Sequence, residues 1–259
     1  MLRLSFILIC FLFLLSNASA QGRKRTFRQH ELGFIGGGSY YIGDLNNRDH
    51  FIYSKPAFGI FYRLSNDFRT AFRFGLNYGK LAASDAEHSA AYQQERSLGF
   101  TTTMYEFNAL AEFNFTEYRI GSDKHRFTLF IFAGLSAFYF NTQPSGGIGP
   151  DEGKSVPKIQ VSVPFGIGIK FNLGKRMGVG IEWGPRRTFT DYLDNVSSTY
   201  PSGGTSEADG QPASSPGAVS TGAMRGDPTM KDWYFYYGIN LNFKLPGKKS
   251  CHGTGRNRR

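Results

Sequence analysis

The stretch from residue 31 to residue 45, ELGFIGGGSYYIGDL, is the first place where closely spaced residues could do chemistry. Consecutive glycines can offer backbone N–H groups to a phosphate, but a phosphate-binding loop also needs a Lys-Ser or Lys-Thr pair and a helix behind it. Here Gly38 is followed by Ser39, Tyr40 and Tyr41, and no lysine follows within the motif. The motif therefore predicts no nucleotide or phosphate cofactor.

Histidine and aspartate residues in two predicted loops are the next candidates for catalysis or metal binding. His50 lies near Asp44 and Asp49, and His88 lies near Asp85. No nucleophile–base arrangement can be recognised, because a catalytic triad is defined by geometry rather than by spacing. The five histidines also lack the spacing of metal ligands. We therefore predict no catalytic residue, no metal site, no cofactor and no enzymatic activity.

The first twenty residues have the organisation of a secretory signal peptide. Arg3 precedes a short apolar run from Phe6 to Leu15, and Ala18-Ser19-Ala20 provides the small residues of a cleavage site. We predict cleavage before Gln21 and export of the mature chain.

The C-terminal segment 245–259 combines a lone cysteine with many basic residues. Cys10 is predicted to leave with the signal peptide, so Cys251 is the one cysteine of the mature chain. An oxidising compartment would allow a disulfide to another chain, and the neighbouring cations favour the reactive thiolate. The alternative is a disordered, soluble tail. The candidate partner-binding residues are Lys248, Lys249, Cys251, His252, Arg256, Arg258 and Arg259.

Composition indicates an exported all-β chain. No stretch after Gln21 approaches eighteen consecutive apolar residues, so no transmembrane helix is predicted. The chain contains 25 Phe, 14 Tyr and 32 Gly, as expected of strands with aromatic residues facing lipid. The net charge of +10 would commonly indicate nucleic-acid binding. Export argues against such a partner, so we predict no nucleic acid.

Alternation of apolar and polar residues indicates strands along most of the mature chain. In 158–172, KIQVSVPFGIGIKFN, every second residue from Ile159 to Phe171 is apolar. The predicted strands are 31–41, 57–65, 68–79, 101–115, 125–139, 158–172, 177–187 and 232–244.

Loop lengths identify the kind of β protein. Short connections at 65–67, 116–124 and 173–176 alternate with long ones at 42–56, 80–100, 140–157 and 188–231. Short periplasmic turns and long outer loops are typical of outer-membrane barrels. We predict an eight-stranded antiparallel transmembrane β-barrel, OmpA-like, in contact with outer-membrane lipid.

The predicted domain organisation follows from these boundaries. A cleaved signal peptide (1–20) precedes a basic segment (21–30), the barrel (31–244) and a basic tail (245–259). Both termini of the mature chain are expected in the periplasm.

The barrel interior is predicted to be plugged by ion pairs. Eight strands leave room for side chains alone, and unpaired buried charge is costly. The residues expected to face inward are Glu31, Arg63, Arg69, Arg73, Glu106, Glu112, Lys170, Glu182 and Arg186. Tyr40 and Tyr41 are expected in an interfacial girdle, and the glycines of the first strand are expected to mark close approach of backbones.

The last predicted strand carries a second motif. Gly238, Leu241 and Phe243 resemble the barrel-assembly signal of bacterial outer-membrane proteins, with a glycine, an apolar residue three positions later and an aromatic residue two after that.

The first-strand motif, the chain length, the eight strands and the terminal strand together resemble the PorG family of Bacteroidota. The motif residues are Glu31, Leu32, Gly33, Gly37, Gly38, Tyr40, Tyr41, Gly43 and Asp44. This resemblance implies a non-enzymatic outer-membrane component of the type IX secretion system. Such a component ties a periplasmic ring, made of a lipoprotein and its partner, to the outer membrane. It serves protein secretion and, in gliding relatives, motility.

Two alternatives remain open. A surface-binding or adhesin-type barrel would act through its outer loops, such as the Gly-, Ser- and Pro-rich segment 188–231. An enzyme would act through loop histidines at the outer rim.

Overall fold

The computed structural model of the chain describes residues 28–43, 45–46, 49–84, 98–146, 158–189, 193 and 231–246. Within these residues the chain forms eight strands. They are β1 Gln29–Ile42, β2 Lys55–Ser65, β3 Thr70–Ser84, β4 Leu98–Asn114, β5 Phe127–Gly146, β6 Lys158–Asn172, β7 Met177–Thr188 and β8 Trp233–Lys244.

Each strand pairs in antiparallel fashion with the next, and β1 also pairs with β8. The sheet therefore closes on itself and leaves no free edge, which confirms the predicted eight-stranded barrel. We call the end at which β1 begins, β8 ends and the connections β2–β3, β4–β5 and β6–β7 lie the turn end. The opposite end, from which the other connections leave, is the loop end.

Strands β3 and β5 extend further than predicted. They end at Ser84 and Gly146 rather than at residues 79 and 139, because segments assigned to outer loops continue to pair with β4. Within the described chain, no helix is long and apolar enough to cross a membrane.

A belt of exposed apolar side chains surrounds the barrel. Its members include Phe34, Phe58, Leu76, Phe107, Leu135, Ile167, Ile181 and Ile239. An apolar surface of this extent would be unfavourable in water, whereas alternation of lipid-facing apolar and lumen-facing polar residues suits a bilayer. Strands of 11 to 20 residues are long enough to cross it.

The inside–outside pattern inverts beyond a row of three tyrosines, Tyr78, Tyr105 and Tyr139, which are paired in register. Below this row the lumen is polar and the outer wall is apolar. Above it the outer wall carries residues such as Lys80 and Thr103, while Leu81, Phe100 and other apolar side chains fill the interior. The tyrosine row thus marks the loop-end edge of the belt, where aromatic residues commonly concentrate.

Two side chains differ from their predicted places. Arg69 is exposed in the β2–β3 turn rather than buried in the lumen, since β3 begins only at Thr70. Tyr41 points into the loop-end interior, where its hydroxyl donates to Asp232 (2.7 Å), so it is not a girdle residue. Tyr40 lies on the outer wall, but it is fully covered by neighbouring aromatic residues.

Candidate functional site

The centre of the lumen is organised around one buried carboxylate. The Glu112 carboxylate forms salt bridges with Arg63 Nε (2.9 Å), Arg73 Nε (3.1 Å) and Lys170 Nζ (2.6 Å). These four side chains come from β4, β2, β3 and β6, so one cluster ties together four strands of the barrel wall. Because all four are almost completely buried, the cations depend on Glu112 for compensation of their charge.

Two further ion pairs extend this cluster along and across the lumen. Arg63 also contacts Glu31 (2.9 Å), and Arg73 contacts Glu182 (2.6 Å). Nearer the loop end, Tyr234 donates to Glu106 (2.7 Å), which lies 3.5 Å from Arg186. The predicted pairing of lumen charges is therefore confirmed for each predicted inward residue except Arg69.

Aromatic rings fill much of the remaining space. The guanidinium groups of Arg63 and Arg73 lie 4.9 and 5.1 Å from the ring centre of Phe61, and Lys170 Nζ lies 4.0 Å from that of Phe130. A cavity of about 20 Å³ lies beside Arg73 and Arg186, which is room for about one water molecule. In the described residues the lumen is thus a packed core rather than a channel.

The loop end of the lumen is filled by an apolar cluster. Its members are Tyr41, Leu45, Ala57, Leu81, Ala83, Phe100, Met104, Phe138, Phe140, Leu193, Tyr234 and Tyr236. Leu193 is held in place because its backbone N–H donates to Asp232 (2.9 Å) and its carbonyl accepts from Thr102 and Thr142.

The turn end is covered by the β4–β5 connection, residues 115–126. Tyr118 and Ile120 are buried. The Tyr118 backbone N–H donates to the Phe68 carbonyl (3.0 Å), and Asn172 donates to the Ser122 carbonyl (2.9 Å). Burial raises the pKa of the Tyr118 phenol, and the nearby Glu31 carboxylate adds to this increase. This closure was not predicted from the sequence, in which 116–124 is a short connection. Its signal is the presence of Tyr118 and Ile120 within an otherwise polar turn.

The outer surface of the turn end is basic. Its exposed or half-buried cations are Arg28, Arg69, Arg119, Lys124, Arg126, Lys175, Arg176 and Lys244, against the carboxylates Asp67, Glu117 and Asp123. Asp123 is paired with Arg126 (2.6 Å), and Glu117 lies 3.5 Å from His125. We call this surface the basic turn face. Electrostatic attraction of an acidic partner is the chemistry that it offers.

The candidate catalytic histidine at the rim, His50, takes part in packing. It lies 3.0 Å from the Tyr40 hydroxyl, which also accepts from Trp183 Nε1 (2.9 Å). The Tyr40 ring stacks on Phe235 at 4.6 Å. Among the described residues, no serine, threonine or cysteine hydroxyl or thiol bonds to His50, and no group of three His, Cys, Asp or Glu residues could hold a metal ion.

The two sequence motifs meet where the barrel closes. Gly37 pairs with Gly238, and a Cβ added to Gly37 would lie 2.0 Å from the Tyr237 carbonyl oxygen. Leu241 and Phe243 face the belt. In the first-strand motif, Glu31 belongs to the ion-pair cluster and Leu32 faces the belt. At Gly33, Gly38 and Gly43, neighbouring side chains occupy the space that a Cβ atom would need.

Several predicted sites lie outside the described residues. They are the signal peptide, Asp44, Asp85, His88, most of segment 188–231 and the tail residues Lys248, Lys249, Cys251, His252, Arg256, Arg258 and Arg259.

The chain is similar to several solved outer-membrane barrels at low sequence identity. Neisserial surface protein A is 8% identical, with a TM-score of 0.47, covering 83% of this chain and 97% of that chain. Ail of Yersinia pestis, solved in complex with the heparin analogue sucrose octasulfate, is 10% identical with a TM-score of 0.44. The match covers 84% of this chain and 99% of that chain. The N-terminal β-barrel domain of Pseudomonas aeruginosa OprF is 9% identical with a TM-score of 0.42. The match covers 83% of this chain and 97% of that chain.

The sequence matches no protein with a curated description. It does match a protein family across residues 3–255, and that family is described as a domain of unknown function, DUF6089. The finer resemblance to the PorG family stays a prediction. The chain thus forms a closed eight-stranded antiparallel β-barrel and belongs to the DUF6089 family.

Proposed function

We propose that this protein is a non-enzymatic outer-membrane component of the type IX secretion system. In this role the barrel anchors a periplasmic ring, made of a lipoprotein and its partner, through the basic turn face and the C-terminal tail. The turn end and both termini face the periplasm in this proposal.

The observation that carries the proposal is the charge of the basic turn face. Eight cations and three carboxylates lie there, and two of the carboxylates already contact basic neighbours. β8 ends at this face with Lys244, and the sequence that follows includes residues 248–259, which carry five Lys or Arg residues and no acidic residue. Two adjoining cationic elements would attract an acidic periplasmic partner and fix its orientation.

The plugged lumen supports a structural role rather than transport. The charges of the lumen are paired around Glu112, and apolar or aromatic residues cover both ends. A barrel of this kind offers its surfaces for binding instead of a path for a substrate.

Co-purification of the ring lipoprotein with the tagged barrel tests the proposal. We expect loss of the lipoprotein when residues 248–259 are deleted, and a strong reduction when Arg119, Lys175 and Arg176 are changed together to glutamine. Changing Lys55 and Arg187, which are exposed at the loop end, serves as the matched control and should leave the complex intact. Equal recovery from all variants would refute the proposal.

A surface-binding role is the second candidate. Phe51 and Ile52 are exposed in the β1–β2 connection, and Phe51 and Tyr53 have positive φ angles of 66° and 55°. Exposed apolar side chains on a strained backbone are features of binding sites. Changing Phe51 and Ile52 to serine should abolish surface attachment if this role is correct and should leave secretion unchanged.

A further inference from the structure

The outer wall of the barrel contains a groove of about 760 Å³. Its upper side is a row of aromatic residues, Phe58, Tyr78, Tyr105 and Tyr139, on four adjacent strands. Its lower side is formed mainly by Ile60, Leu76 and Phe107. Volumes of about 300–1,000 Å³ are typical of small-molecule sites, so this groove is large enough for a ligand.

A small residue creates part of the space. Ala137 faces outward on β5 and pairs with Phe107 on β4. Most of the neighbouring outward positions carry much larger side chains, so the wall is indented beside Ala137. The groove lies within the apolar belt and opens toward the bilayer. An acyl chain is therefore the chemical group that would fill it.

A polar row lies immediately beyond the aromatic row, on the loop-end side. Lys80 pairs with Thr103, and Thr103 pairs with Asn141. Lys80 is exposed, two residues beyond Tyr78 on the same face of β3. This level is the edge of the belt, where lipid headgroups would lie.

Lys80 and Lys55 are the exposed charges of strands β2 to β5 in the described structure. The other charged residues of these strands, Arg63, Arg73, Glu106 and Glu112, are buried in the lumen. Lys55 lies at the start of β2, next to the strand that carries Lys80. No carboxylate of the described chain lies within ion-pair distance of either lysine. A lysine ammonium that lies beside an apolar groove, without a counter-ion among the described residues, is suited to a phosphate.

We propose that this groove binds an anionic, phosphate-bearing membrane lipid in the leaflet at the loop end. One acyl chain lies between the aromatic row and Ala137, and the phosphate pairs with Lys80. Thr103 and Asn141 are placed to hydrogen-bond to neighbouring headgroup oxygens. This site is independent of the anchor role and would exist in an adhesin as well.

Native mass spectrometry of the refolded barrel in non-ionic detergent tests the site. The probes are lipid A, which carries phosphates with net negative charge, and phosphatidylcholine, whose headgroup is neutral overall. We expect the wild type to retain lipid A at least about five-fold better than phosphatidylcholine, because one basic residue near a membrane surface contributes about that factor. Lys80→Gln should lose this preference while retaining phosphatidylcholine as before.

A second variant tests the groove rather than the charge. Ala137→Phe should reduce retention of both lipids, because the added ring fills the indentation. Ile181→Phe places a ring on the outer wall of β7, away from the groove. This control should leave the retention of both lipids unchanged. Equal retention of the two lipids by the wild type, or an unchanged preference in folded Lys80→Gln, would overturn the proposal.

Discussion

Gly37 of β1 and Gly238 of β8 pair directly across the seam that closes the barrel. An added Cβ at Gly37 would lie 2.0 Å from the Tyr237 carbonyl oxygen and 2.5 Å from the Gly238 Cα atom. The two backbones approach so closely that no side chain fits between them. Gly37, the middle residue of the triple glycine, and Gly238 of the assembly signal thus serve the same contact.

The first prediction concerns this seam. Gly37→Ala should prevent closure or strongly destabilise the barrel, because the methyl group meets backbone atoms that cannot move aside. Gly36→Ala is the matched control, since its Cβ would meet only Phe58 at 3.9 Å. The fraction of folded barrel after refolding, measured by electrophoresis of unheated samples, should fall for Gly37→Ala alone. Equal folding of both variants would contradict this account of the seam.

A second prediction concerns Glu112. Glu112→Gln leaves Arg63, Arg73 and Lys170 without their shared counter-charge, so we expect a loss of roughly 3–5 kcal/mol in the free energy of unfolding. The control is Glu117→Gln in the β4–β5 turn, whose side chain is 46% exposed and should cost less than about 1 kcal/mol. Urea unfolding of both variants in detergent measures the difference. A loss for Glu112→Gln as small as that of the control would mean that the cluster does not stabilise the barrel.

Conductance tests whether the lumen is closed. Ion pairs around Glu112 cross the described lumen, and the cavity beside Arg73 and Arg186 measures about 20 Å³. The purified protein in planar bilayers should therefore give no stable channels. Reproducible channel currents from pure protein would show that the lumen opens.

The tail gives a fourth prediction. Cys251 should form a disulfide with a periplasmic partner, because exported thiols meet an oxidising environment. Non-reducing gels of whole envelopes, with thiols blocked at lysis, should contain a larger species that disappears on reduction and is absent in Cys251→Ser. A monomer-sized band in every lane would exclude the covalent link and leave charge as the attraction at this end.

Periodicity was sufficient to predict that eight strands exist and to predict eight of the nine charges assigned to the lumen. The period-two pattern assigns Glu31, Arg63 and Glu112 to one face of their strands, and the cost of unpaired buried charge requires partners. The sequence pattern does not reveal which partners meet. Glu112 faces three cations at once because the strands are staggered around the closed barrel. This stagger is set by strand pairing over the whole circumference of the barrel.

Other features could not be predicted from the alternation of apolar and polar residues. Arg69 continues the period of β3 and was wrongly placed in the lumen, since alternation does not show where a turn ends. Tyr118 closes the turn end because the segment 115–126 folds under the barrel, a tertiary arrangement without a repeating pattern. The predicted loop 80–100 includes Lys80, and only the register of β3 and β4 shows that this residue lies at the edge of the belt.

Site-specific photo-crosslinking in living cells tests the anchor role most directly. One probe replaces Lys175 on the basic turn face, and a matched probe replaces Gln143 at the loop end, where the side chain is also exposed. The account predicts that the Lys175 probe captures the periplasmic ring lipoprotein and that the Gln143 probe does not. Capture of that lipoprotein from position 143 alone, or from neither position, would contradict it.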